Sequence, residues 1–177
     1  MYENMEQPKA YSTTARMLHW LVALFVLAQF LLGWTMPDVK RGTLPEGLIA
    51  WHLSVGAAIV LAMAMRIIWR ATHRPAPADL TPAVKLASAI THLSLYCLLV
   101  LIPLAGWANA SARGWVVKLF GFIPYPPLSA VGSSFGHWLG DVHGWLAWVL
   151  LGLIGIHIFA ALFHRFILRD EVINRML

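Results

Sequence analysis

The sequence is short of charged residues and has almost no cysteine. Only 12% of its 177 residues are Asp, Glu, Lys or Arg, whereas a soluble domain carries about a quarter. This shortage excludes an ordinary soluble globule. The single cysteine, Cys97, excludes an intramolecular disulfide bond.

The few charges leave five uninterrupted stretches without Asp, Glu, Lys or Arg, at residues 17–37, 47–65, 86–112, 119–140 and 142–164. About 20 apolar residues in a helix cross roughly 30 Å of hydrocarbon, so each stretch is long enough to span a membrane. The stretch 119–140 contains three prolines and four glycines, which favour turns, and we interpret it as a loop.

We therefore predict an all-α membrane protein with four spans, at about 17–36, 48–69, 86–110 and 139–168. The connecting loops are 37–47, 70–85 and 111–138, the last a candidate lid. Short connections favour an antiparallel four-helix transmembrane bundle, in which cofactors bind between facing helices. We expect residues 1–177 to form this single domain.

The distribution of Lys and Arg predicts the orientation. Nine of the 13 flank one side of the spans and four flank the other, which places both termini in the cytoplasm of a bacterial cell. The first stretch lacks a small-x-small cleavage site and is predicted to remain as a span. Although the net charge is +5, the cations flank apolar runs and form no basic stripe, so we expect no nucleic-acid partner.

Histidine is the main ionisable residue inside the predicted spans. Such residues are rare in membranes and usually functional. Six histidines lie inside the spans. The direction of each helix places His52 and His143 near the outer face. It leaves four candidates near the inner face, namely His19, His92, His157 and His164. His143 and His157 are 14 residues apart, nearly four full turns, and so share a helix face at depths about 21 Å apart.

Two histidine layers across a bundle suggest two metal centres. Ligation of haem iron by two imidazoles fits this pattern, and the haem would be noncovalent because no Cys-x-x-Cys-His segment is present. Zinc fits less well, since zinc sites usually gather three or four ligands, often with Cys or carboxylate, and neither layer has an in-span Asp or Glu.

Small residues narrow the choice of the inner pair. A porphyrin edge can approach a helix face where a small side chain follows the ligand by one turn. Four histidines have Ala or Gly four residues later, namely His19 (Ala23), His52 (Gly56), His143 (Ala147) and His157 (Ala161), whereas His92 and His164 have Tyr96 and Leu168. The pattern favours His19 with His157 and leaves His52 with His143, although small residues also promote plain helix packing in membranes.

Two arginines lie at the depth of the inner centre. Arg66 follows His52 by 14 residues and Arg16 precedes His19 by three, so each shares a helix face with a histidine. A planar guanidinium suits a haem propionate. The alternative is ordinary snorkelling of arginine at a helix end.

The chain resembles the bacterial cytochrome b561 family in features along nearly its whole length: His19-Trp20, His52 with Arg66, His92-x3-Tyr96, Pro103-x2-Gly106, His143 and His157. The resemblance implies a four-helix inner-membrane protein with two b-type haems, ligated by His19 with His157 and by His52 with His143. It also implies electron exchange with ubiquinone or another quinone, with oxidation of periplasmic superoxide as one activity known in the family.

The resemblance makes His92 and His164 candidates for the quinone site. A hydrogen bond to a propionate or a plain interfacial position are the alternative roles. Four outer cations attract an anion such as superoxide, but three outer carboxylates reduce the surplus to +1: Lys40, Arg41, Arg113 and Lys118 against Asp38, Glu46 and Asp141.

Our leading hypothesis is a dihaem electron carrier, an oxidoreductase surrounded by membrane lipid. One alternative is a cytochrome b subunit of a hydrogenase or dehydrogenase complex, which requires a redox partner at the outer loops. A haem-free, histidine-lined metal transporter is a second alternative, from a different class of protein.

Overall fold

The computed structural model describes residues 11–73 and 81–169, and four long helices dominate it. They are α1 (Thr13–Thr35), α2 (Gly47–Thr72), α3 (Pro82–Ala112) and α4 (Ser134–Phe163), and α4 continues into a π-helical turn at His164–Leu168. All four are long and apolar enough to cross a membrane. The predicted four-span, all-α fold is confirmed. Parts of the predicted 70–85 connector and both chain termini lie outside the described residues.

The fourth helix begins earlier than predicted. The sequence indicated a loop until residue 138, but α4 starts at Ser134. The Ser133 hydroxyl accepts a hydrogen bond from the Gly136 N–H at 3.1 Å. Such a cap satisfies one of the unpaired donors at a helix start. The proline-rich stretch therefore ends five residues sooner than its composition suggested.

The remaining loop contains a short hairpin, in which β1 (Lys118–Leu119) pairs antiparallel with β2 (Ile123–Pro124). Val117 and Leu119 are buried against small residues of α2 and α3, namely Ala57, Ala58 and Ala110. The hairpin thus covers one end of these two helices, which we call the outer end of the bundle. The opposite end is the inner end.

The helices pack as two pairs joined through α2 and α3. Within the described residues α1 packs on α2, α2 on α3, and α3 on α4, but no Cα atom of α4 lies within 8 Å of α1 or α2. Val22 of α1 is buried against Ile59 and Met63 of α2. Phe30 and Ile154 are partly buried beside the core clusters of both pairs. Side chains therefore bridge the space between α4 and the α1–α2 pair.

The outer start of α4 packs closely on α3 and on the preceding loop. A Cβ atom added to Gly136 would lie 2.7 Å from both Ala112 Cβ and Ser129 Oγ. We expect Gly136→Ala to lower the free energy of unfolding by about 1–3 kcal/mol through overpacking. Gly152 of the same helix has nothing within 4 Å of its added Cβ, and Gly152→Ala is the matched control, expected to be neutral or slightly stabilising. Denaturation in detergent followed by circular dichroism measures both, and equal effects would contradict this packing.

Candidate functional site

Two histidines face each other near the outer end. The ring of His52 on α2 lies 6.0 Å from the ring of His143 on α4, measured between centroids, with 76° between the ring planes. Both side chains are half-buried. No Cα atom of α4 lies within 8 Å of a Cα atom of α2, and this pair of imidazoles spans the space between the two helices.

His143 is held in one orientation by α3. Its Nδ1 lies 2.8 Å from the carbonyl oxygen of Ile102, and because a carbonyl only accepts, Nδ1 carries the proton. Nε2 then keeps its lone pair, the form in which histidine binds a metal. A Cβ atom on Gly106 would lie 2.8 Å from the same Nδ1. Glycine at 106 therefore makes room for this ring.

The ring of His52 lies against Gly33 of α1. The nearest atom to a Cβ added at Gly33 is His52 Cε1, at 3.5 Å, an ordinary contact distance. His52 Nδ1 is buried and has no hydrogen-bond partner among the described residues. Such an unpartnered buried polar atom is unusual in a folded protein. The two outer imidazoles thus differ in what holds them.

An apolar cavity lies beside the outer pair. It is lined by both histidines and by residues of α1, α2, α3 and the loop: Gln29, His52, Leu53, Gly56, Ala57, Val60, Pro103, Gly106, Trp107, Val117, Tyr125 and His143. The Tyr125 hydroxyl donates to the Ala57 carbonyl at 3.3 Å. Its ring lies 4.9 Å from that of Trp107. Burial raises the pKa of the Tyr125 phenol, which favours the protonated hydroxyl that donates this bond.

Three histidines come together near the inner end. His157 of α4 lies 6.4 Å from His19 of α1 and 5.4 Å from His92 of α3, measured between ring centroids. His92 is oriented by its own helix, since its Nδ1 lies 2.7 Å from the Ser88 carbonyl oxygen. His164 opens the π-helical turn, and such turns often occur at functional sites.

The ring separations distinguish two kinds of contact. Two metal–nitrogen bonds of about 2.0–2.1 Å, together with half of each imidazole, place the ring centroids roughly 6 Å apart. The separations of 6.0 Å for His52–His143 and 6.4 Å for His19–His157 fit a shared metal ion. At 5.4 Å, His92 and His157 are closer than this arrangement requires. The role of these residues as ligands stays a prediction.

Arg66 crosses the inner end of the bundle. Its Nε donates to the Tyr96 hydroxyl at 2.8 Å, and one terminal nitrogen donates to the Ala15 carbonyl at 3.4 Å. Arg70 also lies over the Tyr96 ring, at 5.9 Å. Arg16 is half-buried on α1. Neither Tyr96 nor Arg70 was predicted as a site residue from the sequence; for Tyr96 the available signal was a tyrosine hydroxyl within a hydrophobic span.

A second cavity opens at the outer end, with a volume of about 890 Å³. Its lining contains most of the outer cations and one histidine: Arg41, Arg113, Lys118 and His137. The Arg113 guanidinium lies over the Trp115 ring at 5.5 Å. Leu53, which follows His52, lines both this cavity and the one beside the histidines. The two cavities therefore meet at Leu53.

The arrangement of the histidines bears on which metal they could hold. Within residues 11–73 and 81–169, no group of three or more His, Cys, Asp and Glu side chains is arranged to hold a metal ion. Zinc usually requires three or four such ligands. Two imidazoles on opposite sides of a gap instead suit an iron whose remaining ligands come from a porphyrin.

Comparisons with known proteins show which proteins this chain is similar to. The family model described as prokaryotic cytochrome b561 matches residues 10–177. Cytochrome b561 homolog 2 of Escherichia coli (strain K12) is 32% identical over 178 residues, which cover 96% of this chain and 92% of that protein. A probable superoxide oxidase CybB of Yersinia pestis is 29% identical, with 96% of each chain covered. Cytochrome b562 of Cereibacter sphaeroides is 26% identical over 98% of each.

Gly106 and Gly33, which lie against the two outer histidine rings, give a matched pair of variants. Gly106→Ala places a methyl group 2.8 Å from His143 Nδ1, so we expect the ring to be displaced and the amount of b-type haem bound per chain to fall. Gly33→Ala meets the His52 ring at an ordinary 3.5 Å and should retain nearly all the haem. The pyridine haemochrome assay on purified protein measures both. Equal haem content in the two variants would show that contact with His143 does not limit binding.

Proposed function

The chain belongs to the prokaryotic cytochrome b561 family, and from this premise we propose a membrane cytochrome that holds two b-type haems and passes electrons between the outer face of a bacterial inner membrane and quinone. The observation that carries the proposal is the presence of two imidazole pairs, 6.0 and 6.4 Å apart between ring centroids, with one member of each on α4. Their positions on α4 are 14 residues apart, or about 21 Å along the helix.

The chain provides two places where the residues fit a haem. His52 and His143 hold the outer one, and His19 and His157 hold the inner one. When bound, a haem with two imidazole ligands supplies one-electron oxidation and reduction at an iron without an open coordination position. The space between α4 and the α1–α2 pair, which side chains alone bridge, supports this assignment.

The inner arginines would bind propionate groups. Arg66 uses two of its donors for Tyr96 and Ala15, and a guanidinium has five N–H groups. Three donors remain for a carboxylate near the inner imidazole pair. Arg16 precedes His19 by one helical turn on the same face and would serve the same purpose.

We place the quinone at the inner end, beside His92 and His164. The Ser88 carbonyl accepts the proton of His92 Nδ1, which leaves His92 Nε2 to exchange a proton with a quinone oxygen. His164 lies at the π-helical turn, two turns beyond His157. The orientation with both termini in the cytoplasm, inferred from the excess of Lys and Arg on that side, would put this site near the cytoplasmic face.

Superoxide is the proposed electron donor at the outer end. Support comes from the name of the Yersinia pestis relative and from the basic cavity that contains Arg41, Arg113 and Lys118. Positive side chains in a cavity raise the local concentration of an anion. The overall reaction balances as two superoxide ions, one quinone and two protons giving two dioxygen molecules and one quinol, so the protein would act as an oxidoreductase.

Substitution of one ligand tests the two-layer assignment. His143→Leu should remove the outer haem and leave the inner one, and His157→Leu should do the reverse, because each side chain belongs to one pair. His73→Leu is the control, since His73 is exposed and stacks on Trp69 at 3.8 Å. Haem content and redox-monitored absorption spectra should show one remaining component in each ligand variant. Loss of both haems from both variants, with the protein still folded, is the contrary result.

Charge substitution tests the donor. Lys118→Gln should slow quinone reduction by superoxide by less than about 10-fold, because electrostatic steering as a whole is worth about 10- to 1,000-fold. Lys40→Gln is the matched control, with the same charge on the same side and no place in the cavity lining. Stopped-flow measurements at several salt concentrations give both rates. A purified dihaem protein that superoxide does not reduce would remove superoxide as donor and leave the haem assignment intact.

A further inference from the structure

Two buried polar atoms near the outer cavity have no partner among the described residues. One is His52 Nδ1 and the other is the side-chain oxygen of Gln29. Both residues line the apolar cavity beside the outer histidine pair. A nitrogen that carries a proton and an oxygen that accepts one are complementary. Each is costly to leave unpaired in a buried site.

The requirement at His52 follows from its proposed role. An imidazole that binds iron through Nε2 carries its proton on Nδ1, and metal-binding histidines nearly always donate this proton to a carbonyl or carboxylate. The opposite ligand, His143, has such an acceptor in the Ile102 carbonyl at 2.8 Å. His52 Nδ1 has no hydrogen-bond acceptor among the described residues. A hydrogen bond thus orients His143 from α3, whereas no such bond orients His52 from α1.

Gln29 is already fixed beside His52. Its side-chain nitrogen donates to the His52 carbonyl oxygen at 3.1 Å, and a Cβ atom on Gly56 would lie 3.5 Å from the same nitrogen. This bond holds the carboxamide against α2 and leaves its oxygen as a free acceptor. A carboxamide in the middle of a hydrophobic span is expensive unless both ends are bonded.

Other buried acceptors do not fit as well. The remaining unpartnered side-chain oxygens among the described residues belong to Ser54 and Asn109. Neither residue lines the cavity beside His52. Asn109 lies against Gly140, whose added Cβ would be 2.7 Å from it. Gln29 alone combines a position in the cavity with a direct bond to His52.

We propose that Gln29 is the positioning residue of the outer haem ligand His52. Its nitrogen donates to the His52 carbonyl oxygen, and a small rotation of the carboxamide about this bond lets its oxygen accept the His52 Nδ1 proton. This inference rests on the proposed haem ligation. A ligand that donates such a hydrogen bond is more basic and stabilises ferric over ferrous iron. Gln29 therefore lowers the reduction potential of the outer haem and does not act on the inner one.

The test uses the purified, haem-loaded full chain. Redox titration and electron paramagnetic resonance of the ferric protein resolve the two haems, and the outer signal is the one that His143→Leu removes. Gln29→Leu, which has no acceptor, should raise the outer midpoint potential and shift the outer low-spin signal. Gln29→Glu, which keeps an acceptor oxygen but loses the donor nitrogen, should lower that potential. The inner haem should be unchanged in both variants.

Thr35→Val is the matched control on the same helix, because the Thr35 hydroxyl bonds to the Leu31 carbonyl of α1 itself. It should leave both potentials at their original values. Loss of the outer haem from Gln29→Leu, with Gln29→Glu retaining it, also supports the proposal.

Several results would overturn it. They are unchanged potentials in Gln29→Leu, equal shifts of both haems, shifts of the same sign in the Leu and Glu variants, or loss of the outer haem from both. A wild-type protein with fewer than two haems contradicts the proposed function instead. The two failures are therefore distinguishable.

Discussion

The separation of α4 from α1 and α2 is the constraint on which the structure depends. Helices in a membrane close together when small residues face each other, and α3 with α4 does so at Gly136 and Gly140. The other face of α4 stays more than 8 Å from α1 and α2, measured between Cα atoms. Histidine rings reach across this space at two depths, with ring centroids about 6 Å apart. The same helix is thus tightly packed on one side and held apart on the other.

Much of this arrangement could be predicted because it follows from linear measures of the chain. Charge-free lengths locate the spans, and the 14-residue interval between His143 and His157 gives depth and face through the helical rise. The hydrogen bonds and contacts that orient each imidazole ring could not be predicted. The acceptor of the His143 proton is a backbone carbonyl at Ile102, which no side-chain pattern indicates. The early start of α4 depends on the cap at Ser133, which average composition over a proline-rich stretch conceals.

The two ends of the bundle are built differently. At the outer end a hairpin and Tyr125 close the cavity beside the histidines, and the outer cations line a separate opening next to it. At the inner end Arg66 connects α1, α2 and α3 through its hydrogen bonds to the Ala15 carbonyl and the Tyr96 hydroxyl. Under the proposed function, a small anion approaches one end through water and a lipid-soluble quinone approaches the other through the membrane.

Between the two histidine layers the interior is closed by Val22, Val26, Ile59, Ala62 and Met63, with Ala62 and Met63 only 1% exposed. Charge that moves from one layer to the other crosses most of the insulating part of the bilayer. Moving one charge across the full membrane potential is worth about 2.3 kcal/mol per 100 mV. In the proposed orientation an inward electron moves against that potential, over about two-thirds of a core roughly 30 Å thick. The reaction would then add to the membrane potential, and its driving force would decrease as the cell becomes more energised.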